Sequence, residues 1–142
     1  MQYQGSKRRI AKYILPIILE GREPDQWYVE PFVGGANAIS EVEGLRLGAD
    51  IHTEVICLYK TLQKGWLPPT EVSEEDYKAI QADPLFPALR GYVLQACSFG
   101  AMWNAGFARA KDDPNPNRRS VGAYNSMMRQ LPKLKGTFRQ QL

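Results

Sequence analysis

The sequence has few of the residues that build disulfides and metal sites. Its 142 residues include two cysteines, Cys57 and Cys97, and one histidine. Both cysteines lie within apolar stretches, which is typical of small core side chains rather than of a disulfide or a metal pair. We therefore expect no zinc site and no other bound metal.

Long hydrophobic runs are also absent. No stretch reaches the roughly 18 to 20 consecutive apolar residues that a membrane span needs. The basic run at residues 7–9 leads into an amphipathic segment, which differs from a signal peptide. Hydrophobic residues make up 44% and charged residues 23% of the chain, which excludes wholesale disorder. We expect a cytoplasmic protein with one compact domain or slightly more, and no membrane partner.

Acidic residues are scarce in the last third of the chain. Residues 101–142 contain eight Lys or Arg but only Asp112 and Asp113, whereas residues 1–100 contain ten basic and 13 acidic residues. A basic segment that carries aromatic residues is typical of a surface that binds phosphate backbones. A solvated, flexible tail would show the same charge, so charge alone leaves both interpretations open.

The pattern of apolar residues predicts helices alternating with short strands in the first half of the chain. The predicted elements are a helix over 6–19 interrupted at Pro16, a strand over 27–32, a helix over 36–42, a strand over 45–49 and a helix over 52–64. This order is typical of the opening of a doubly wound α/β fold.

The second half is predicted to be mostly helical. Pro68 and Pro69 mark a boundary, and we divide the chain into a unit over 1–66 and a unit over 67–142. Helices are predicted over about 73–81, 87–97 and 121–131. Residues 131–139 read as a helix end that enters a strand without a partner.

A glycine-bearing turn follows the first predicted strand. Gly34 and Gly35 would let the backbone approach a ligand at the start of a helix, although a tight turn would use the same residues. Asp50 follows the second strand, 15 residues beyond Gly35, where a carboxylate is placed to accept hydrogen bonds from ribose hydroxyls. An Asp before a helix is also a common N-cap, so the spacing alone leaves both roles open.

Three segments, in their order and spacing, resemble the DNA adenine-N6 methyltransferases. They are Tyr3-Gln4-Gly5-Ser6-Lys7, Tyr28-Val29-Glu30-Pro31-Phe32-Val33-Gly34-Gly35-Ala36 and Gly48-Ala49-Asp50. The resemblance is to the phage and bacterial group whose cofactor motifs lie at the N-terminus, and it extends to the aromatic, glycine-rich stretch over 98–109. It implies an incomplete Rossmann-like methyltransferase fold with a mostly helical second half. It also implies that the protein is located in the cytoplasm of a bacterial or phage-infected cell.

The resemblance implies S-adenosylmethionine as the cofactor. The implied cofactor-binding residues are Tyr3, Gly5, Ser6, Lys7, Glu30, Pro31, Phe32, Gly34, Gly35, Asp50 and Ile51. The first four would hold the methionine end, with Lys7 opposite the carboxylate, and residues 30–35 would form a floor under the methionine and ribose. Asp50 would bind the ribose hydroxyls, with Ile51 beside the adenine ring. Alternatively, Lys7 is one of several solvated basic residues near the N-terminus.

The resemblance also implies double-stranded DNA as a partner. The implied DNA-binding residues are Trp103, Asn104, Phe107, Arg109, Arg118 and Arg119. Aromatic side chains stack on bases, and Arg side chains bind phosphates. The near-helical spacing of the aromatic residues would also suit a hydrophobic core.

The sequence departs from this family at the catalytic motif. These enzymes carry an Asp-Pro-Pro-Tyr type tetrapeptide that grips the adenine amino group and stacks on the flipped base. No such tetrapeptide occurs here, because Asp83-Pro84-Leu85-Phe86 reads as a helix-ending turn and Asp113-Pro114-Asn115-Pro116 as a polar loop. We therefore expect a truncated methyltransferase, inactive alone, whose open sheet edges pair with a second copy or with a second polypeptide.

Two other interpretations remain open. A non-catalytic methyltransferase relative, for example a phage-encoded inhibitor of a host defence system, would bind DNA or a protein partner. A basic structural module with a nonfunctional cofactor pocket would require only the charge asymmetry. The substitution Asp50→Ala separates the interpretations, because it should abolish cofactor binding if the chain is the cofactor-binding portion of a methyltransferase and leave the activity of a structural module untouched.

Overall fold

The computed structural model describes residues 1–140, which fold as a mixed α/β chain. Within these residues, three parallel strands form one sheet in the order β1-β2-β3: β1 (Tyr28–Glu30), β2 (Arg46–Ala49) and β3 (Thr137–Arg139). The same residues form the helices α1 (Ala11–Ile18), α2 (Thr53–Gln63), α3 (Glu74–Ala82), α4 (Pro87–Gly91) and α5 (Arg118–Gln130). Short 3-10 turns lie at Lys7–Arg9, Ile39–Glu41, Phe99–Ala101 and Leu131–Lys133, and α4 continues into a π-helical turn, Tyr92–Ala96.

The first two strands lie where the sequence predicts them, and the third strand has a partner. The prediction of an unpartnered strand over 131–139 is wrong, because β3 pairs in parallel with β2, with Leu47 opposite Thr137. The ring of Phe138 packs on that of Tyr59, with 5.1 Å between centroids. A Cβ at Gly48 would lie 3.0 Å from the Phe138 ring, so the glycine leaves the space that this ring needs.

Helices α2 and α3 follow the sequence prediction closely. The apolar side chains of α2 that recur at helical spacing are all buried, namely Val55, Ile56, Leu58, Tyr59 and Leu62. Helix α3 begins with a capping box, in which Ser73 and Asp76 each bind the other's backbone amide. Helix α4 packs closely on α2, since a Cβ at Gly91 would lie 2.3 Å from the carbonyl oxygen of Glu54.

The helix predicted over 36–42 is reduced to a turn and the 3-10 segment Ile39–Glu41. Ala36 has a φ of 54°, which an α-helix does not allow. Side chains from the neighbouring strands bind the backbone of this segment instead. The carboxylate of Glu30 accepts from the Ile39 amide at 3.0 Å, and the guanidinium of Arg46 donates to the carbonyls of Ile39, at 3.0 Å, and Val42.

The hydrophobic core includes side chains from both halves of the chain. Val55 and Leu58 from the first half and Tyr92 and Leu94 from the second belong to one buried cluster. The functional division into residues 1–66 and 67–142 stays a prediction. No helix within residues 1–140 is long and apolar enough to cross a membrane.

Candidate functional site

The carboxylate of Asp50 joins the ends of β1 and β2. Its Oδ2 atom accepts a hydrogen bond from the Gly34 amide at 2.9 Å, and its Oδ1 atom accepts one from the His52 amide at 3.0 Å. The N-cap of α2 is His52, so Asp50 does not cap this helix. A carboxylate has about four lone-pair sites, and these two bonds leave two of them for further donors.

The glycine turn carries the N-terminal loop. Gly34 has a φ of 46°, and a Cβ there would lie 3.1 Å from the ring of Tyr3. At Gly35 a Cβ would lie 2.8 Å from the Cβ atom of Tyr3. The hydroxyl of Tyr59 donates to the Gly34 carbonyl at 2.5 Å and fixes the turn from the core side. The two glycines therefore make room for Tyr3, which lies over the turn.

Lys7 is held beside the same turn rather than free in solvent. Its Nζ atom donates to the carbonyl of Phe32 at 2.7 Å and lies 3.0 Å from Oε1 of Glu30. Burial raises the pKa of Glu30 above its usual value, although the Lys7 ammonium acts in the opposite direction. An ammonium has three donors, so Lys7 keeps capacity for an anion at this position.

Two large apolar side chains are exposed at the carboxyl edge of the sheet. Phe32, after β1, is 77% exposed, and Ile51, after β2, is 83% exposed. Ile51 directly follows Asp50 in the sequence, and Phe32 lies two residues before Gly34, whose amide binds the Asp50 carboxylate. Apolar walls with a few converging polar groups are the usual composition of a small-molecule site. Parallel sheets place such sites at the carboxyl ends of their strands.

The N-terminal loop also packs against the glycine-rich segment over 98–109. The Gln4 amide donates to the Ala101 carbonyl at 3.2 Å. The rings of His52 and Trp103 lie edge to face with 4.0 Å between centroids. These contacts bring a second layer of chain to the start of α2, next to Asp50. The sequence interpretation did not identify His52 as a residue next to the candidate site.

Most of the predicted DNA-binding side chains in the segment over 98–109 make contacts within the chain. Asn104 accepts a hydrogen bond from the side-chain amide of Gln81 at 2.8 Å. Phe107 lies edge-on against Tyr77, with 5.9 Å between ring centroids. The guanidinium of Arg109 pairs with the carboxylate of Glu74. DNA binding by these residues stays a prediction.

Two arginines occupy an electrostatically unfavourable position at the start of α5. Arg118 and Arg119 are exposed in the first turn, which contains no acidic residue. The N-terminal end of a helix carries partial positive charge, so cations there cost stability unless an anion binds. Their position therefore favours contact with an anionic partner.

Arg119 faces a cleft beside the N-terminal loop. This cleft has a volume of about 650 Å³ and is also lined by Arg8, Arg9, Tyr3 and Gly5. Sequence reasoning missed Arg8 and Arg9 as site residues. The signal was the basic run over 7–9, which served only to exclude a signal peptide.

The comparisons with known proteins identify a family. The sequence model of the D12 class N6 adenine-specific DNA methyltransferases matches residues 3–91, which include the N-terminal loop, the glycine turn and Asp50. No curated protein matches the chain. Within residues 1–140, no cluster of His, Cys, Asp or Glu is suited to a metal ion. Because the match covers more than half of its length, the chain belongs to the D12 class N6 adenine-specific DNA methyltransferase family.

Proposed function

We propose that this chain is the S-adenosylmethionine-binding portion of a DNA adenine-N6 methyltransferase. The observation that carries the proposal is the convergence at one sheet edge of the Asp50 carboxylate, the Lys7 ammonium and the glycine turn. Family membership supports cofactor-dependent methylation of adenine as the reaction.

The residues present suit three groups of the cofactor: the ribose hydroxyls, the methionine carboxylate and the adenine ring. Asp50 has lone pairs left to accept from the two ribose hydroxyls. Lys7 is fixed by Phe32 and Glu30 and would place its remaining donor toward the methionine carboxylate. The exposed Ile51 side chain would cover the adenine ring. When bound, S-adenosylmethionine supplies an electrophilic methyl group.

The N-terminal loop positions Lys7 within this site. Gly5 has a φ of 74°, which permits the tight turn before the basic run. The hydroxyl of Ser6 accepts hydrogen bonds from the Arg8 amide at 3.2 Å and from the Asn37 side chain at 2.8 Å. These bonds fix the loop between the turn and α1, so that the Lys7 ammonium approaches the carbonyl of Phe32.

The groups that would hold the target adenine come, in this proposal, from outside the 142 residues. Both candidate tetrapeptides are local turns, because Asp83 accepts from the Leu85 amide at 2.8 Å and Asp113 accepts from the Asn115 amide at 2.9 Å. Neither segment follows a strand. The chain alone is therefore expected to bind cofactor without transferring its methyl group.

The free edge of β1 supports a partner that completes the sheet. Within residues 1–140, β1 pairs only with β2, and its Val29 side chain is 44% exposed. On α1, Ile10, Tyr13 and Ile17 recur at helical spacing and are 51%, 65% and 73% exposed. We propose that a second copy or a second polypeptide covers this surface.

Sedimentation of the purified chain should show self-association, or a defined complex with the partner polypeptide. A stable monomer at high concentration that takes up no partner contradicts this proposal.

We propose that double-stranded DNA approaches along the cleft next to the cofactor residues. Arg8, Arg9 and Arg119 line that cleft and would bind phosphates. Arg118 lies beside Arg119 on the exposed first turn of α5. Their contacts would place the duplex beside the N-terminal loop that carries Lys7.

Radiolabelled S-adenosylmethionine tests cofactor binding and methyl transfer in one system. Equilibrium dialysis should show binding that is lost in Lys7→Ala and kept in Lys60→Ala, a control at an exposed cation on α2. Incubation with duplex DNA that contains adenine should leave no label on the DNA. Absence of cofactor binding contradicts the proposed site, and label transfer above background contradicts the proposed inactivity of the chain alone.

A further inference from the structure

The side chain of Gln130, the last residue of α5, binds the glycine turn of the proposed cofactor site. Its Nε2 atom donates to the carbonyl of Gly35 at 3.0 Å and to the carbonyl of Ala36 at 2.9 Å. Gln130 lies 95 positions after Gly35 in the sequence and outside residues 3–91, which the family model matches. Neither the sequence patterns nor the family match therefore assigns it a role.

The partners of the Gln130 amide group determine its orientation. The ammonium of Met1 donates to its oxygen, whereas the carbonyls of Gly35 and Ala36 and the hydroxyl of Ser40, at 3.1 Å, accept from its nitrogen. A primary amide provides donors and an acceptor in one group. A carboxylate here would face two carbonyls with no donor, and an ammonium would offer Met1 no acceptor. Glutamine therefore suits both sides of this position.

The bonds from Gln130 act on a strained part of the turn. Ala36 is fully buried and has a φ of 54°, in the left-handed region that a residue with a Cβ rarely adopts. The carbonyls of Gly35 and Ala36 belong to the two peptide units on either side of the Ala36 Cα atom. Because peptide units are planar, fixing both of them fixes φ and ψ of Ala36. Such conformations persist only where surrounding contacts hold them.

The same turn orients the proposed ribose acceptor. Gly34 directly precedes Gly35, and its amide donates to Oδ2 of Asp50 at 2.9 Å. The Gly34 carbonyl accepts from the Tyr59 hydroxyl at 2.5 Å. Tyr59 and Gln130 thus bind three successive carbonyls of the turn, and the amide that holds Asp50 lies within this segment.

We propose that Gln130 is a positioning residue of the cofactor site. It fixes the glycine turn so that the Gly34 amide holds the Asp50 carboxylate toward the ribose hydroxyls of S-adenosylmethionine. Gln130 acts only through the backbone of the turn and does not itself contact the cofactor. This inference rests on the proposed function and adds to it a residue from the second half of the chain.

Two substitutions remove the donors of Gln130 and nearly keep the length of its side chain. Gln130→Met removes donors and acceptor, whereas Gln130→Glu keeps an acceptor for Met1. Calorimetric titration with S-adenosylmethionine should show binding weakened at least about tenfold in both variants. Arg129→Ala, at the exposed neighbouring position, should bind as the wild type does. Met127→Val removes packing from the buried face of α5 and should lower stability without changing the affinity of the folded protein.

Amide hydrogen exchange of the cofactor-free protein gives a second readout, which separates positioning from general stability. The amides of Gly34 and Ala36 are hydrogen-bonded and should exchange at least about tenfold faster in Gln130→Met than in the wild type. The hydrogen-bonded amide of Tyr28 in β1 should keep its wild-type rate. Gln130 is half-buried, so both of its variants should fold, as circular dichroism can verify.

Three results would overturn this role while leaving the proposed function in place. They are wild-type affinity and exchange in Gln130→Met, a loss of affinity that Met127→Val reproduces, and exchange that is faster at Tyr28 as well as at the turn. The last two would mean that Gln130 only stabilises the fold. Absence of cofactor binding by the wild-type protein would instead overturn the proposed function, and with it the role of Gln130 in cofactor binding.

Discussion

The carboxylate of Asp50 accepts a hydrogen bond from the backbone amide of Gly34 at 2.9 Å. This bond connects the residue after β2 to the glycine turn after β1. The same carboxylate also accepts from the His52 amide at 3.0 Å and so fixes the start of α2. One side chain thus holds together the elements that frame the proposed cofactor site, and the proposed ribose acceptor is oriented before any ligand binds.

Substitution of two helical glycines tests the packing of α4 on α2. Gly91→Ala should lower the free energy of unfolding by about 2–4 kcal/mol, because its Cβ would lie 2.3 Å from the Glu54 carbonyl oxygen and force the helices apart. Gly122→Ala on α5 meets no atom within 4 Å and should raise it by about 0.5–1 kcal/mol. Urea unfolding measures both values. Similar effects of the two substitutions would contradict this packing.

The buried carboxyl group of Glu30 predicts a pH dependence of stability. Burial raises its pKa in the folded state above the usual value of 4.5. Ionisation of Glu30 therefore destabilises the folded state relative to the unfolded state. As the pH rises from 4.5 through the folded pKa, the wild-type free energy of unfolding should fall relative to that of Glu30→Gln. Urea titrations of both proteins between pH 4.5 and neutrality give this difference, in which the other titrating groups cancel. A difference that rises with pH would contradict the assignment.

The two cysteines should differ in reactivity. Cys97 is 1% exposed, and burial raises its pKa to about 12, so only about one thiol in 10⁴ is ionised at pH 8. Cys57 is half-buried and should react with a disulfide reagent in the native state, whereas Cys97 should react only on unfolding. Cys57→Ser should remove the fast reaction of the native protein with the disulfide reagent. Two equally fast thiols would show that the core around Cys97 opens readily.

The first turn of α5 predicts opposite effects on stability and on DNA binding. Replacing Arg118 and Arg119 by Ala should weaken binding to duplex DNA and reduce the slope of log K against log salt by about 2, because two phosphate contacts are lost. The same change should stabilise the fold by about 0.3–1 kcal/mol for each arginine, since it removes cations from a helix N-terminus. Fluorescence titrations at several salt concentrations and urea unfolding measure the two effects. Lower stability together with unchanged DNA binding would assign these arginines a structural role.

The parts of the fold with local signals were predictable from the sequence. The buried side chains of α2 recur at helical spacing, and the capping box of Ser73 and Asp76 marks the start of α3. The segment over 36–42 was not predictable, because Glu30 and Arg46 bind its backbone from neighbouring strands. The pairing of β3 with β2 was not predictable either, because Leu47 and Thr137 are 90 residues apart in the sequence.

The candidate site shows the same division between local and distant signals. The spacing of the glycine turn and Asp50 left a ligand site and a helix N-cap both open, and the structure brings Gly34 and Asp50 into direct contact. The contact between His52 and Trp103 joins residues far apart in sequence, and no local sequence pattern predicts it. The cleft shared by Arg8 and Arg119 depends in the same way on how α5 packs.

Calorimetric titration of the purified chain with S-adenosylmethionine tests the central claim most directly. The account predicts binding at one site per chain, weakened at least about tenfold in Asp50→Asn because the amide keeps the size of the carboxylate but loses its charge and one acceptor. Lys60→Ala, away from the sheet edge, should bind as the wild type does. No heat of binding to the wild-type chain, or equal affinity of wild type and Asp50→Asn, would contradict a cofactor site at the ends of β1 and β2.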